Sequence, residues 1–570
     1  MVDTVNEMKI DVLVMGGGVT GQLAAAYLRM RFPQLRVAVV EGPRKDRPIV
    51  GESLVEASVD FLLELGLGPY LVEKHYPKYG LTYYFKLDID RPSDRTYVVD
   101  EIPTAPPLLS FQINRFTFDR HLRERNRQNG VELIDAVVAG VTLASGGGLH
   151  AVTVRDPAGR ETTLGARWLI DATGRNRLLA KQLQLHQPVA EQKNVFWFRL
   201  ADFNPEILSR IQAIKREHRA YVPYFATHHF FGRGNWIWCI PMRSENGRPL
   251  MSIGITSRSN VYPHGEIRTI EQFLDSAGRE HEVIAELVRS GTVVDTNVYR
   301  SYMWECRQRY SPDRWYILGD AADTVDPLYS VGLALTSLQI RQVGAIIQRE
   351  LDGHDTAEFT RDLDTAITAF QRGVTRDTGR LYECMHDPYQ CHLRIHLVVS
   401  QLFHLGLPVA MNGYLWDPAG AKIVNRFASL ETLEARSKSF QDLIGRVAAN
   451  PASRALGNFI KVQTAGSMNY SFYEHLREED IPASLSHLEF RFARLRLALL
   501  AKLGWRAFTC FRQQRALAMD LLRGLSLLPF HGTRLRKSRL LRILLGLSGP
   551  ANPRKDAAPD SPGAPEHMTS

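Results

Sequence analysis

Long apolar runs and glycine turns divide the first 180 residues. IDVLVM (10–15) is almost wholly apolar and runs straight into Gly16-Gly17-Gly18-Val19-Thr20-Gly21. AAAYLRMRF then carries helical spacing, and LRVAVVE returns to a strand pattern. Strand, glycine turn, helix, strand predicts the start of a doubly wound α/β domain. GVELIDA and LHAVTVRDPAG predict strands and a hairpin, and ARWLIDATGR predicts another buried strand ending in a glycine turn. From about 195 to 300 the pattern changes to strands of a different kind: NVFWFRLA, THHFFGRGNWIWCIPM and LMSIGIT. RWYILGDAADTVDPLYSVG goes back to the style of the first domain, and beyond 333 the pattern is helical. The expected fold is α/β: a doubly wound dinucleotide-binding domain, an inserted, mostly antiparallel sheet domain and a helical C-terminal region. Its expected parts are 8–190 (first part of the nucleotide domain), 191–305 (sheet domain), 306–360 (return of the nucleotide domain), 361–548 (helical and basic) and 549–570. The last part is rich in Pro, Ala and Ser, a composition that predicts a disordered tail.

Composition changes this picture in one place. Net charge is +9, but Arg491 to Arg542 alone holds 13 Lys and Arg against one acid, Asp520. The rest of the chain is close to neutral. Five scattered cysteines have no metal-ligand or Cys-x-x-Cys spacing, so no disulfide framework and no metal site are expected. The N-terminus has no signal-peptide core and no run of about 20 apolar residues occurs, which leads to the expectation of a cytoplasmic protein.

Gly16, Gly18 and Gly21 fit G-x-G-x-x-G in the place where that spacing has a mechanism. Gly16 permits the tight turn, Gly18 lets backbone approach a pyrophosphate, and Gly21 permits close helix–strand packing. The helix start, with Thr20, offers amides and positive dipole to phosphate. Glu41 ends the next strand 20 residues after Gly21, where a carboxylate accepts a ribose hydroxyl. Asp171-Ala172-Thr173-Gly174 and Gly319-Asp320-Ala321-Ala322 close two further strands, the second 299 residues after Thr20. Nucleotide-type elements on both sides of an inserted sheet suit a long cofactor lying between two domains, FAD rather than NAD. GGGVTG, Arg115 with Phe118 and Asp119, DATG and LGDAAD together resemble the aromatic-hydroxylase superfamily of FAD proteins. That resemblance implies that Asp320 holds the ribityl or ribose part of FAD and that Arg115 lies near the flavin.

Gly234-Asn235-Trp236-Ile237-Trp238-Cys239-Ile240-Pro241 is the most specific segment. On a strand, Trp236, Trp238 and Ile240 share one face, and Pro241, lacking an amide donor, is expected to stop the ladder. An ordinary aromatic core strand accounts for the alternation. The segment also resembles the W-x-W-x-I-P motif of flavin-dependent halogenases, where such a wall separates flavin from substrate. Three more blocks carry the resemblance. Gly51-Glu52-Ser53-Leu54 matches G-E-S, although Glu56 and Ala57 stand where a proline is usual. Lys78-Tyr79-Gly80-Leu81-Thr82-Tyr83 resembles the K-x-G-x-x-F of the phenol and pyrrole branches, with tyrosine for the final phenylalanine. Asp326-Pro327-Leu328-Tyr329-Ser330-Val331-Gly332 resembles D-P-x-x-S-x-G, and Tyr329 replaces the glutamate of tryptophan halogenases. That replacement argues against free tryptophan as substrate.

The resemblance implies an enzyme that uses reduced FAD, oxygen and chloride or bromide to form hypohalous acid and halogenate an electron-rich ring, phenolic or pyrrolic. It implies Lys78 as the catalytic lysine, with Lys74 the fallback, and Trp236 and Trp238 as the wall. Pro327 and Gly332 would lie beside the flavin, and the amides of Ser330, Val331 and Gly332 would cradle halide. The proton acceptor stays open among Glu52, Glu56, His228 and His229. No second nucleotide fingerprint is seen, so reduced FAD is expected from a separate flavin reductase. The basic C-terminal region has three readings: a helical cap whose arginines snorkel around a core, a surface on an anionic membrane at its inner face, or a dock for an acidic carrier protein bearing the substrate. Its leucines, with no stacking platform, argue against nucleic acid. The rival functions are an FAD monooxygenase acting on an aromatic substrate and a flavin-binding protein without turnover.

Overall fold

The computed structural model describes residues 8–43, 49–102, 109–217, 223–402, 406–417, 419–420 and 430–450, with scattered residues between 477 and 500. Nearly all of the basic stretch 491–542, and the whole of the 549–570 tail, lie outside the described residues.

Two large sheets organise the described chain. The first contains seven strands. Met8–Met15 pairs in parallel with Val37–Glu41 on one side and Glu161–Asp171 on the other. Glu132–Asp135 extends the sheet beyond Val37–Glu41, and Trp315–Ile317 lies parallel to the end of Glu161–Asp171. Val137–Thr142 and His150–Arg155 complete it as an antiparallel hairpin. Parallel strands are buried on both faces. Accordingly Val12 and Val14 enter one core while Leu13 and Met15 enter another. This accounts for a continuous apolar run where a one-sided strand would alternate.

The second sheet has eight strands, in the order Gln212–Glu217, Thr96–Ile102, Leu81–Lys86, Thr227–Gly232, Asn235–Arg243, Pro249–Arg258, Lys193–Ala201 and Thr292–Tyr299. It is mostly antiparallel, with parallel pairing at two places. Thr96–Ile102 and Leu81–Lys86 come from the span 8–190, so that span supplies two strands of the second sheet as well as most of the first. One face of this sheet packs under the helices Ile270–Glu280 and Glu282–Arg289, through Phe196, Ile237, Cys239 and Phe273. The opposite face carries Tyr83, Trp197, Trp236 and Trp238, and shares a core with the first domain and the later helices. The functional motifs lie on or against this inner face.

Pro241 corrects the expectation that it stops the ladder. Asn235–Arg243 stays paired with Pro249–Arg258 through Pro241↔Met251 to Arg243↔Pro249. Its other neighbour, Thr227–Gly232, pairs only with Asn235 to Cys239. Pro241 thus stands past the end of that partner, where no ladder bond needs its missing N–H.

The helices Gly332–Leu351, Ala357–Leu381, Pro388–Gln401 and Leu430–Ala448 follow. Among the described residues no helix is long and apolar enough to cross a membrane.

Candidate functional site

The glycine turn follows the first strand as its motif requires. Gly16 has φ +109°, and a Cβ there would lie 2.4 Å from Ala172 O. A Cβ on Gly21 would lie 1.9 Å from Gly16 O, so only glycine lets the helix Val19–Arg31 start this close to the turn. A Cβ on Gly18 would meet nothing within 4 Å. The space over Gly18 is open, as a pyrophosphate approaching the helix start needs. Gly319, with φ +58°, packs on Thr20, its hypothetical Cβ 2.5 Å from Thr20 Oγ1. Two motifs 299 residues apart in sequence therefore meet at one edge of this opening.

Asp320 directly follows Gly319, the residue packed on Thr20. Its residue surface is accessible, yet its carboxyl lies so deep among protein atoms that desolvation pushes its pKa up, against Arg175, Arg115 and Arg177, which push it down. A group both accessible and deeply enclosed is one on the floor of a cleft. Arg115 is buried and bidentate to Asp119, at 2.8 and 3.0 Å, and donates to Val50 O at 2.7 Å. Its guanidinium is thus held inside the fold and is not a solvated helix charge. Glu41 is buried and ion-paired with Arg123. Its other oxygen accepts from Gln22 Nε2 at 3.4 Å, which sets the carboxylate against the glycine turn. Asp171 caps its own turn, accepting from Thr173 N at 2.9 Å and Leu179 N at 2.7 Å. Open glycine backbone, an enclosed carboxylate and a ring of arginines fit the phosphates and hydroxyls of FAD.

The remaining motifs gather around the Glu52-Ser53-Leu54 turn. Ser53 Oγ lies 2.9 Å from Thr227 Oγ1, and Ser330 Oγ donates to it at 3.2 Å. Lys78 is buried, and its Nζ donates to Leu54 O at 2.9 Å. Desolvation lowers its pKa from 10.5 to about 8, partly opposed by Glu56. Lys74 is far more exposed and pairs with Glu73 at 2.6 Å; it does not join the cluster. Glu52 is buried, and desolvation pushes its pKa from 4.5 to about 7, against a hydrogen bond from Ser252. Ser252 Oγ in turn accepts from Trp238 Nε1 at 3.2 Å.

Trp236 and Trp238 stand side by side, centroids 5.6 Å apart, with His229 5.4 Å from Trp236. A Cβ on Gly254, opposite Trp238 on the next strand, would lie 2.2 Å from Trp238 Cζ2. The indole lies flat over the missing side chain. The two neighbouring histidines are divided by strand alternation. His228 bonds Tyr84 Oη at 3.0 Å on the outer face, whereas His229 shares the inner face with Tyr83. Burial lowers their pKa values to about 4 and about 3, with Lys78 contributing second for His229.

The turn after Asp326 closes on itself before the next helix begins. Asp326 caps the short 3₁₀ turn Pro327–Tyr329 by accepting from Leu328 N at 3.0 Å. Ser330 then takes a left-handed conformation, φ +56°, before Val331 caps the helix Gly332–Leu351. The Ser330 N–H is spent within the turn, on Pro327 O at 2.9 Å, so any anion here would meet the amides of the helix start that follows it. Lys193 and Tyr382, which the motifs do not include, bind Asp326. Lys193 had a legible signal: it lies two residues before Val195 and four before Trp197, on the same inward face. Tyr382 had none, because only the packing of its helix brings it there.

Asp100, His392 and His396 also gather, buried, with one donor atom each within 4.8 Å of the others. His396 Nε2 lies 2.5 Å from Asp100 Oδ2.

Fold and cleft together define an FAD-dependent oxidoreductase of the hydroxylase-type architecture. The family model described as tryptophan halogenase matches residues 11–84 and 94–375, and the chain belongs to that family of flavin-dependent halogenases. It is 25% identical over 450 residues to flavin-dependent halogenase chlA of Dictyostelium discoideum, covering 71% of each chain. It is 28% identical over 364 residues to a Pseudomonas fluorescens chlorinase of 1H-pyrrole-2-carbonyl groups on a peptidyl-carrier protein, covering 59% of this chain and 76% of that one. The fold is similar to that of halogenase PltM in complex with phloroglucinol and FAD, with TM-score 0.62 at 14% identity over 85% of this chain and 96% of that one.

Proposed function

We propose that this halogenase acts on an electron-rich phenolic or pyrrolic ring, held by a carrier protein, and that Lys78 delivers the halogen. The observation that carries the reading is the position of Lys78. It is buried on the Glu52-Ser53-Leu54 turn, which also touches the Ser330 turn. When bound, reduced FAD would supply the two electrons that bring oxygen to the peroxide level, where it can oxidise halide to hypohalous acid; a separate flavin reductase would provide the reduced form. Within the protein, the amides of Val331 and Gly332 at the helix start hold the halide, while the Ser330 N–H is spent on Pro327 O at 2.9 Å. Trp236 and Trp238 keep the ring away from the flavin, so that hydroxylation does not compete. The Lys78 ammonium donates to the oxygen of hypohalous acid and makes the halogen electrophilic. Among the four candidate acceptors, Glu52 takes the ring proton. His228 faces away, His229 is too weak a base with a pKa of about 3, and Glu56 sits by Lys78 and supports its charge. The carrier-bound substrate is suggested by the pyrrolyl-carrier chlorinase and by the basic stretch 491–542.

The test is mass spectrometry of phenols and pyrrole-2-carbonyl groups, free and on a carrier protein, with FAD, NADH, a flavin reductase, oxygen and bromide. A bromine isotope doublet that disappears in Lys78→Met supports the reading. Bromination that survives in Lys78→Met sinks the role of the lysine. A halide-independent gain of one oxygen sinks the whole proposal.

A further inference from the structure

Four side chains from four separate segments form one buried chain behind the candidate halide turn. Lys193 Nζ lies 2.7 Å from Asp326 Oδ2, with the two side chains 1% and 0% exposed. Tyr382 Oη donates to the same oxygen at 2.6 Å. Trp236 Nε1 donates to Tyr382 Oη at 2.9 Å. The Lys193 ammonium also lies 4.6 Å from the centre of the Tyr382 ring. The other oxygen of Asp326 accepts from Leu328 N, inside the turn itself.

A fully buried ion pair is a poor source of stability, because desolvation cancels most of the attraction. What it fixes is geometry. Asp326 has one oxygen on the turn and the other on two donors, one from the inserted sheet and one from the end of the helix Ala357–Leu381. Burial, and then the Asp326 charge, push the pKa of Tyr382 up, so its hydroxyl stays a donor. The hydroxyl can accept from Trp236 while donating to Asp326, so Trp236, Tyr382 and Asp326 are linked in series. The tryptophan wall and the turn are thereby fastened to the same phenol.

We infer that Lys193 and Tyr382 are positioning residues that hold the Asp326–Gly332 turn in its halide-binding form and lock it to Trp236. The inference rests on the halide role of that turn. It says that halide affinity depends on a tyrosine and a lysine that touch neither halide nor flavin.

The experiment uses the full chain loaded with FAD and titrated with bromide, read by tryptophan and flavin fluorescence. FAD affinity is measured separately without halide. Wild type should give a saturable bromide response; no response would overturn the halide role of the turn, and this inference with it. Given that response, Tyr382→Phe and Lys193→Met should each raise the half-saturating bromide concentration about fivefold or more, the usual size of coupling within one network. FAD affinity should stay within about twofold, below the coupling expected inside a network. Adding Tyr382→Phe to Asp326→Asn should produce no further rise, because the tyrosine acts through that carboxylate. Tyr382→Phe keeps the ring and its packing, so it separates the hydroxyl from folding. Unchanged half-saturation in both single variants, or additive effects in the double variant, would overturn the inference and leave the halide role of the turn standing.

Discussion

Lys78 and Glu52 are both charged groups forced into apolar surroundings, and burial moves them towards each other in pH. Lys78 comes down to about 8 and Glu52 goes up to about 7. If Lys78 donates as ammonium and Glu52 accepts as carboxylate, the rate should rise through pH 7 and fall through pH 8. The bell in kcat/KM, which reports the free enzyme's groups, should therefore be narrow. Glu52→Gln should remove the acid limb along with most of the activity, and Lys78→Arg should keep some activity while moving the alkaline limb beyond the measurable range. A falling limb at pH 8 that persists in Lys78→Arg would assign it to another group. Glu52 also makes a prediction about stability. Its folded pKa is raised, so between pH 4.5 and 7 the unfolded chain has lost a proton that the folded chain still holds. Stability contributed by this group therefore falls across that window and is flat above it. The full cost is about 3 kcal/mol for a shift of this size. Glu52→Gln should melt like wild type at pH 4.5 and be more stable by up to that amount at pH 8, whatever it does to catalysis. Equal melting at both values would show that Glu52 is not held protonated.

The tryptophan strand is the element where sequence and structure agree furthest, and the reason is geometric. Alternation alone assigns Trp236, Trp238 and Ile240 to one face, and they share one core while Ile237 and Cys239 enter the other. What alternation cannot supply is the neighbour. Nothing in LMSIGIT indicates that Gly254 is the gap over which Trp238 lies, because that depends on strand register. The same limit explains Pro241, whose tolerance depends on where the adjacent strand ends. It also explains Leu81–Lys86 and Thr96–Ile102, whose membership of the second sheet is a long-range fact. Motifs that work through their own backbone, such as the glycine turn, were legible. Partners such as Tyr382 and Arg123, reached across the fold, were not. Gly254→Ala tests the wall as an element. Its methyl would press into Trp238 and Trp197 Cβ, and overpacking of this kind costs about 1–3 kcal/mol. The melting temperature should fall. If the wall segregates flavin from ring, halogenated product per reduced FAD consumed should also fall, with peroxide making up the difference. Lower stability with unchanged product yield would limit Trp238 to a packing role.

Charge is distributed over the molecule as sharply as chemistry is over the site. Outside 491–542 the chain holds 57 basic and 60 acidic residues, so 13 basic residues against one acid in that stretch account for the whole net positive charge. Charges concentrated in this way attract an anionic partner at long range, and salt screens that attraction over about 8 Å at physiological ionic strength. An acidic carrier protein is the partner that the proposed substrate requires. Truncation at about residue 488 should therefore abolish binding of an acidic acyl carrier protein in low salt. FAD binding should survive, since its cleft is built from residues before 360. For the full chain, carrier affinity should fall steeply as salt is raised. Retention by anionic phosphatidylserine vesicles, with no carrier binding, would make the stretch a membrane contact instead. If truncation leaves both untouched and only lowers the melting temperature, the arginines are a helical cap, and delivery of a tethered ring must use another face.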